Sequence, residues 1–242
     1  MNGLLSLLSV VTLSCLMGGC SHFQKHEQVQ VEHSADANVG EAPLAVDVQN
    51  ASGTVRIWVD SQEPLAVWAT CEGENSNDVR PDWVAAHVSN DSGRPVLRVI
   101  SESPDGTARP TSLRIRVPSC GGVRVRNTGG LVEIQGLTGA ADVQNTMIGR
   151  ESPSIRITAA APITTPISAR TNNGSINVRL PSGSTGKVRV SAGKGIPVVD
   201  GGQNNLRGVL ANRHDITAVL NNGENPIDLI TENGNAQLWI GR

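Results

Sequence analysis

One short unit returns along this chain and limits what it can fold into. The unit is a short strand, an Asn or Thr, two small or polar residues, a Gly, and then a strand of alternating character. The run from Val48 to Ile57 aligns with Val125 to Ile134, with Ala169 to Val178 and with Leu229 to Leu238. Gly53, Gly130, Gly174 and Gly234 fall in one column of that alignment and are read as turn glycines. Gly, with Asn before it, tolerates the positive φ that a tight corner between two strands demands. Degenerate copies lie around Asn145 to Ile157 and Ala192 to Val199, a spacing of roughly twenty residues per unit. One such unit cannot bury its apolar face, whereas stacked units can.

Between the turns the chain reads as strand nearly throughout. Leu113-Arg114-Ile115-Arg116-Val117, Ile176-Asn177-Val178-Arg179-Leu180 and Val188-Arg189-Val190 put apolar side chains on one face and polar ones on the other. No segment keeps a helical period beyond one turn, although Pro81 to His87 has room for a short helix. The class is all-β. Two architectures satisfy the repeat: hairpins in an antiparallel β-sandwich, or turns that form the corners of a β-solenoid or roll-like repeat. The second is favoured, because small residues and few aromatics suit a narrow interior. One Phe and no Tyr accompany Trp58, Trp68, Trp83 and Trp239, so any aromatic platform for sugars or bases comes from those four tryptophans.

Leu113 to Ser119, the Asn127-Thr128-Gly129-Gly130 turn and Val132 to Gly139 resemble the bacterial "putative adhesin" β-repeat family, as do Arg170 to Pro181 and Asp228 to Ile240. The resemblance spans Leu44 to Ile240. It implies a repetitive all-β surface or envelope domain with no established active site, and it carries over no functional residues.

The N-terminus supplies an address. An apolar run from Leu4 to Leu16 is closed by Leu16-Met17-Gly18-Gly19-Cys20. Small residues before a cysteine fit the pocket of the lipoprotein signal peptidase, so the start of the chain resembles a bacterial lipoprotein precursor. Residues 1–19 are then the signal peptide and 20–27 the lipidated Cys20 with a short tether. The β-repeat domain fills 28–242. Palmitate and a diacylglycerol on Cys20 would hold the mature protein in a membrane, since each buried methylene contributes about 0.8 kcal/mol. Ser21 is not the Asp that retains many lipoproteins in the inner membrane, so the outer membrane is favoured if the organism is diderm.

Removing the signal takes Cys15, and lipidation takes Cys20. Cys71 and Cys120 remain, and a disulfide between them is expected in an oxidising compartment. The net charge of −2 comes from scattered charges of both signs, which leaves no basic footprint for nucleic acid.

Catalytic and metal-binding patterns are weak. His22, His26 and His33 sit beside the tether, His87 is isolated, and His214 and Asp215 are neighbours that would face opposite ways on a strand. Asp200, Asp215, Glu224, Asp228 and Glu232 make an acidic C-terminal stretch that could serve a glycosidase only if two carboxylates came close together. No cofactor and no metal site are expected. Arg114, Arg116, Arg124, Arg126, Arg156, Arg179 and Arg189 recur at outward strand positions, where a stacked fold could line them up against an anionic glycan or lipid headgroups.

The sequence therefore points to a non-enzymatic, lipid-anchored envelope protein whose β-repeat domain is a binding or scaffolding surface. Its expected partners are the membrane, through Cys20, and an envelope protein or glycan. The alternatives are a carbohydrate-active enzyme on a β-helix, and an envelope-sensing partner protein.

Overall fold

The structure, a computed structural model, describes residues 43–72, 83–102, 110–146, 153–202 and 206–241, together with the backbone of 26–31. Cys20, the signal segment, His22 and His33 lie outside the described residues. The first strands are β1 (His26–Val31), β2 (Ala45–Asn50), β3 (Val55–Val59), β4 (Ala66–Glu72), β5 (Val84–Asp91) and β6 (Arg94–Ser101). Then come β7 (Thr111–Val117), β8 (Gly122–Thr128), β9 (Leu131–Leu137), β10 (Ala140–Thr146), β11 (Ser154–Ala159), β12 (Ile167–Thr171) and β13 (Ile176–Leu180). The last are β14 (Gly186–Ala192), β15 (Pro197–Asp200), β16 (Leu206–Ala211), β17 (Asp215–Leu220), β18 (Pro226–Thr231) and β19 (Ala236–Ile240).

These strands form two mixed sheets. Sheet A runs β1-β4-β7-β3-β9-β11-β13-β19-β15, and sheet B runs β16-β17-β14-β18-β12-β10-β8-β2-β6-β5. In the middle of both sheets all neighbours are parallel, and the chain passes from a strand of B to a strand of A at each Asn/Thr-x-x-Gly corner. Antiparallel strands finish the ends, with β1 and β4 on sheet A and β5, β16 and β17 on sheet B. The all-β class thus holds, and the coils β2–β3, β8–β9, β10–β11 and β12–β13 stack in chain order, but that order is broken towards both ends. The β6–β7 pair lies outside β2–β3, and β18–β19 slots between β12–β13 and β14–β15. Two sheets sharing one core is the layering of the sandwich alternative, whereas the parallel middle is not.

Two local expectations change. Val84 opens a strand where a short helix had room, because Val84, Ala86 and Val88 lie against the core from an antiparallel partner, β6. The β5–β6 turn places Ser92 at φ 52° and Gly93 at φ 81°, the paired positive values of a two-residue hairpin. Strand β1 begins at His26, so the last two tether residues already pair with β4.

The core is a single cluster of Val, Ile, Leu and Ala drawn from both sheets, with Trp83 its one large ring. Burying each Val, Ile or Leu side chain contributes about 1.5–3 kcal/mol. Inside it, at the corner where sheet B hands over to sheet A, runs a polar row set by the strand register: Ser101, Asn50, Asn127, Asn145, Thr171, Thr231. All six are buried. Asn50 Nδ2 donates to Asn127 Oδ1 at 2.8 Å, and Asn127 Nδ2 donates to Asn145 Oδ1 at 2.9 Å. Each amide also holds turn carbonyls: Ser52 and Thr111 for Asn50, Gly53 and Gly129 for Asn127, Gly130 and Ser154 for Asn145. The row continues as Thr171 Oγ1 donates to the Asn173 carbonyl and Thr231 Oγ1 to that of Gly174. These bonds satisfy carbonyls that a bare corner would leave buried without partners.

The four turn glycines sit beside this row at positive φ, Gly53 at 109°, Gly130 at 56°, Gly174 at 117° and Gly234 at 145°. Conformation is only half of the requirement. A Cβ on Gly130 would stand 2.6 Å from the Gly53 carbonyl oxygen, and one on Gly174 would overlap that of Pro153. The corners of neighbouring coils touch backbone to backbone, so side chains are excluded there.

Cys71 and Cys120 are both buried thiols, and the expected disulfide is absent. Cys71 on β4 pairs with Thr111, the first residue of β7, whereas Cys120 lies three residues beyond Val117, the last of that strand. Seven residues of extended chain between these levels span roughly 20 Å, against a Cα separation under ~7 Å that a bridge needs.

Candidate functional site

Alternation decides which side chains leave the core, and on sheet A it sends out tryptophan and arginine. In β3, Val55 and Ile57 are buried while Arg56 and Trp58 face outward. In β4 the buried Val67 and Ala69 flank Trp68, and in β19 the buried Leu238 and Ile240 flank Trp239. Three of the four tryptophans of the chain therefore lie on one outer face, and only Trp83 is in the core.

Strand register orders that face into two rows. The first reads Trp68, Arg114, Arg56, Glu133, Arg156, Asn177, Gln237 across β4, β7, β3, β9, β11, β13 and β19. The second reads Arg116, Trp58, Gln135, Thr158, Arg179, Trp239 across β7 to β19. Asp200 closes the second row at the sheet edge.

Electrostatically the face is lopsided. Glu133 sits between two guanidiniums, 3.5 Å from Arg56 Nε and 3.1 Å from Arg156 Nη1, and its own carboxylate is only 13% exposed. Arg116 is fixed from three sides. It lies 3.3 Å from Glu63, donates to the Pro64 carbonyl at 3.1 Å, and stands 5.1 Å from the Trp68 ring centre. Trp58 and Trp68 stack with planes 4° apart and centres at 5.7 Å, which stiffens this end of the face by about 1 kcal/mol. Among the described residues, Arg114 and Arg179 form no ion pair. Asn177 Nδ2 donates to Gln237 Oε1 at 3.1 Å, and both side chains are half-buried. Trp239 is the most open of the three outward rings, at 37% exposure.

The outer face of sheet B is built on another plan. Its central row reads Arg98, Asp47, Arg124, Asp142, Ser168, Asp228, Arg189, three bases and three acids set beside one another by register, with Arg98 ion-paired to Asp91. Arg126 also pairs with Asp142, and no tryptophan is present on this face. The seven outward arginines expected from the sequence are thus divided: Arg114, Arg116, Arg156 and Arg179 join sheet A, and Arg124, Arg126 and Arg189 join sheet B. Arg56, which does not stand out in the sequence, completes the sheet A group. Its place in Val55-Arg56-Ile57-Trp58 is the one signal that could have found it.

The acidic C-terminal residues are not gathered into one site. Asp200 is on the edge of sheet A, Asp228 lies outward on sheet B opposite Arg189, Glu224 pairs with Lys187, and Glu232 follows the last residue of β18. His214 Nδ1 rests 3.3 Å from the Ala192 carbonyl, and Asp215 is held through its backbone N–H by Asn212 Oδ1 at 2.8 Å. Burial pushes the Cys120 thiol up to about 11, with a backbone hydrogen bond at Gly122 pulling weakly the other way. A thiol of that acidity is a poor nucleophile near neutral pH. A cleft of about 440 Å³ opens over the corner row between Gln49, Glu102, Arg126 and Thr146.

No family model matches the sequence, and no curated protein is significantly similar to it. Solved structures are similar in fold. A "putative cell adhesion protein" from Clostridium sporogenes ATCC 15579 is 11% identical with a TM-score of 0.55, over 90% of this chain and 100% of that one. A "putative adhesin" from Bacteroides fragilis NCTC 9343 is 11% identical with a TM-score of 0.31, over 92% of this chain and 100% of that one. The first likeness extends the shared all-β fold over most of the chain.

Proposed function

We propose that this protein is a cell-envelope binding protein, anchored by lipid on Cys20, which uses the outer face of sheet A in adhesion or envelope organisation rather than in catalysis. One observation carries the reading: a chain nearly devoid of aromatic rings spends three of its four tryptophans on one exposed, arginine-rich face. Exposed rings of this size contribute nothing to the core and are the side chains that binding surfaces favour. The likeness of fold to a protein described as a candidate in cell adhesion supports the same reading. A lipid anchor would serve it by confining the face to the membrane surface and so raising its effective concentration toward a neighbouring ligand.

Two experiments test this. Cys20→Ser should move the protein from the membrane fraction to the soluble fraction; unchanged fractionation would remove the anchor. Full-length protein used as bait in native envelope extract should enrich a glycan or a single envelope protein. That capture should fail in a variant carrying Arg56→Gln, Arg114→Gln, Arg156→Gln and Trp239→Ala. Equal capture by the variant would remove sheet A as the binding surface.

A further inference from the structure

We infer that the ligand of the sheet A face is an anionic polysaccharide, lying across the strands with acidic sugars against the arginine rows; this rests on the binding-surface reading above. Charge sets the sign of the ligand. Glu133 already serves both Arg56 and Arg156, and among the described residues Arg114 and Arg179 have no carboxylate at all. A guanidinium left exposed with its fork unoccupied is a ready site for a carboxylate or sulfate.

Spacing sets the kind of ligand. Adjacent strands stand about 4.8 Å apart, close to the length of one pyranose ring in an extended chain. Arg114 and Arg56 are on neighbouring strands, and Arg156 lies two strands beyond Arg56. An acid on each sugar keeps step with Arg114 and Arg56, and an acid on alternate sugars keeps step with Arg56 and Arg156 on either side of Glu133. The remaining groups suit sugars as well: Asn177, Gln135 and Gln237 offer hydrogen bonds to hydroxyls, and the exposed Trp239 beside Arg179 offers a ring face for sugar C–H groups. Sheet B makes the contrast from within the same molecule. In its central row Arg98, Arg124 and Arg189 each stand beside an Asp by register, so a carboxylated chain laid along that row would meet as many acids as bases.

The test is titration calorimetry of the full chain in neutral detergent against three polymers: polygalacturonate, a neutral glucan and polyphosphate. Polygalacturonate should bind best, and its affinity should fall as salt is raised. The double variant Arg114→Gln, Arg179→Gln should weaken it about tenfold, and the sheet B control Arg124→Gln, Arg189→Gln should leave it within about twofold. Trp239→Ala should weaken polygalacturonate while leaving polyphosphate unchanged. Tighter binding of polyphosphate, or equal losses from the two double variants, would overturn the inference as unspecific charge attraction. Absence of polygalacturonate binding, while the sheet A variant still loses its envelope ligand, would overturn the ligand class and leave the binding-surface reading standing. Loss of neither would remove both.

Discussion

Ser101, Asn50, Asn127, Asn145, Thr171 and Thr231 cross sheet B at its inner corner, whereas Arg114, Arg56, Glu133, Arg156, Asn177 and Gln237 cross the outside of sheet A. Both rows take one side chain from each strand, and both come from the same repeating unit. They differ in who supplies the hydrogen-bond partners. Asn127 is bonded to Asn50, to Asn145 and to two turn carbonyls, and all but the part-buried bond to Gly53 are buried. Arg56 and Arg156 share Glu133 but are about half exposed, so water replaces any bond they lose. A change in the inner row strands buried polar groups, and a change in the outer row merely rehydrates them. One row therefore holds the fold, and the other can be varied to choose a ligand.

The comparison can be broken at several depths. Ending the chain before Pro226 should have the largest effect, because β18 and β19 lie between older neighbours in both sheets and carry Thr231 and Gln237. Such a fragment should show no cooperative unfolding by circular dichroism, and a sharp transition would mean that the stack closes without them. Next comes Gly174→Val, which joins positive φ to overlap with the Pro153 carbonyl and should cost about 3 kcal/mol in urea unfolding. Asn127→Ala should cost about 2 kcal/mol, since it leaves Asn50 and two carbonyls short of partners. A loss below about 0.5 kcal/mol would show that the inner row is dispensable and would erase the contrast.

Smaller effects sharpen the same line. Arg56→Gln should change stability by less than about 0.5 kcal/mol while weakening ligand capture. The pH dependence of Cys120 should be smaller still near neutrality, because the thiol is protonated in both states below its ordinary value of 9.0. Above that pH the unfolded chain ionises first and folding must restore the proton. Stability should then decline until about pH 11, and Cys120→Ala should flatten the decline. An identical alkaline profile in that variant would show that Cys120 has no part in it.

Part of this architecture is legible in the residues alone. Alternation in Val-Arg-Ile-Trp-Val and Leu-Arg-Ile-Arg-Val states which side chains face out, because the period of a strand is a local property. The Asn or Thr of each unit is visible as a recurring residue, but its ladder is not, since Asn50 and Asn145 meet only through Asn127. The expected disulfide fails for a related reason: parity and compartment say nothing about the length of β7 between Cys71 and Cys120.

By itself the sequence determined the all-β class, the corner residues and the alternation of faces along each strand, all set by steric rules acting over a few neighbours. Only the tertiary structure decided that β6–β7 and β18–β19 insert out of order, that the arginines divide between two faces, and that Arg56, Glu133 and Arg156 stand side by side. Those facts depend on which strands pair, and pairing is chosen by burial of the whole apolar interior, in which distant segments such as Ala45–Asn50 and Gly122–Thr128 count as neighbours.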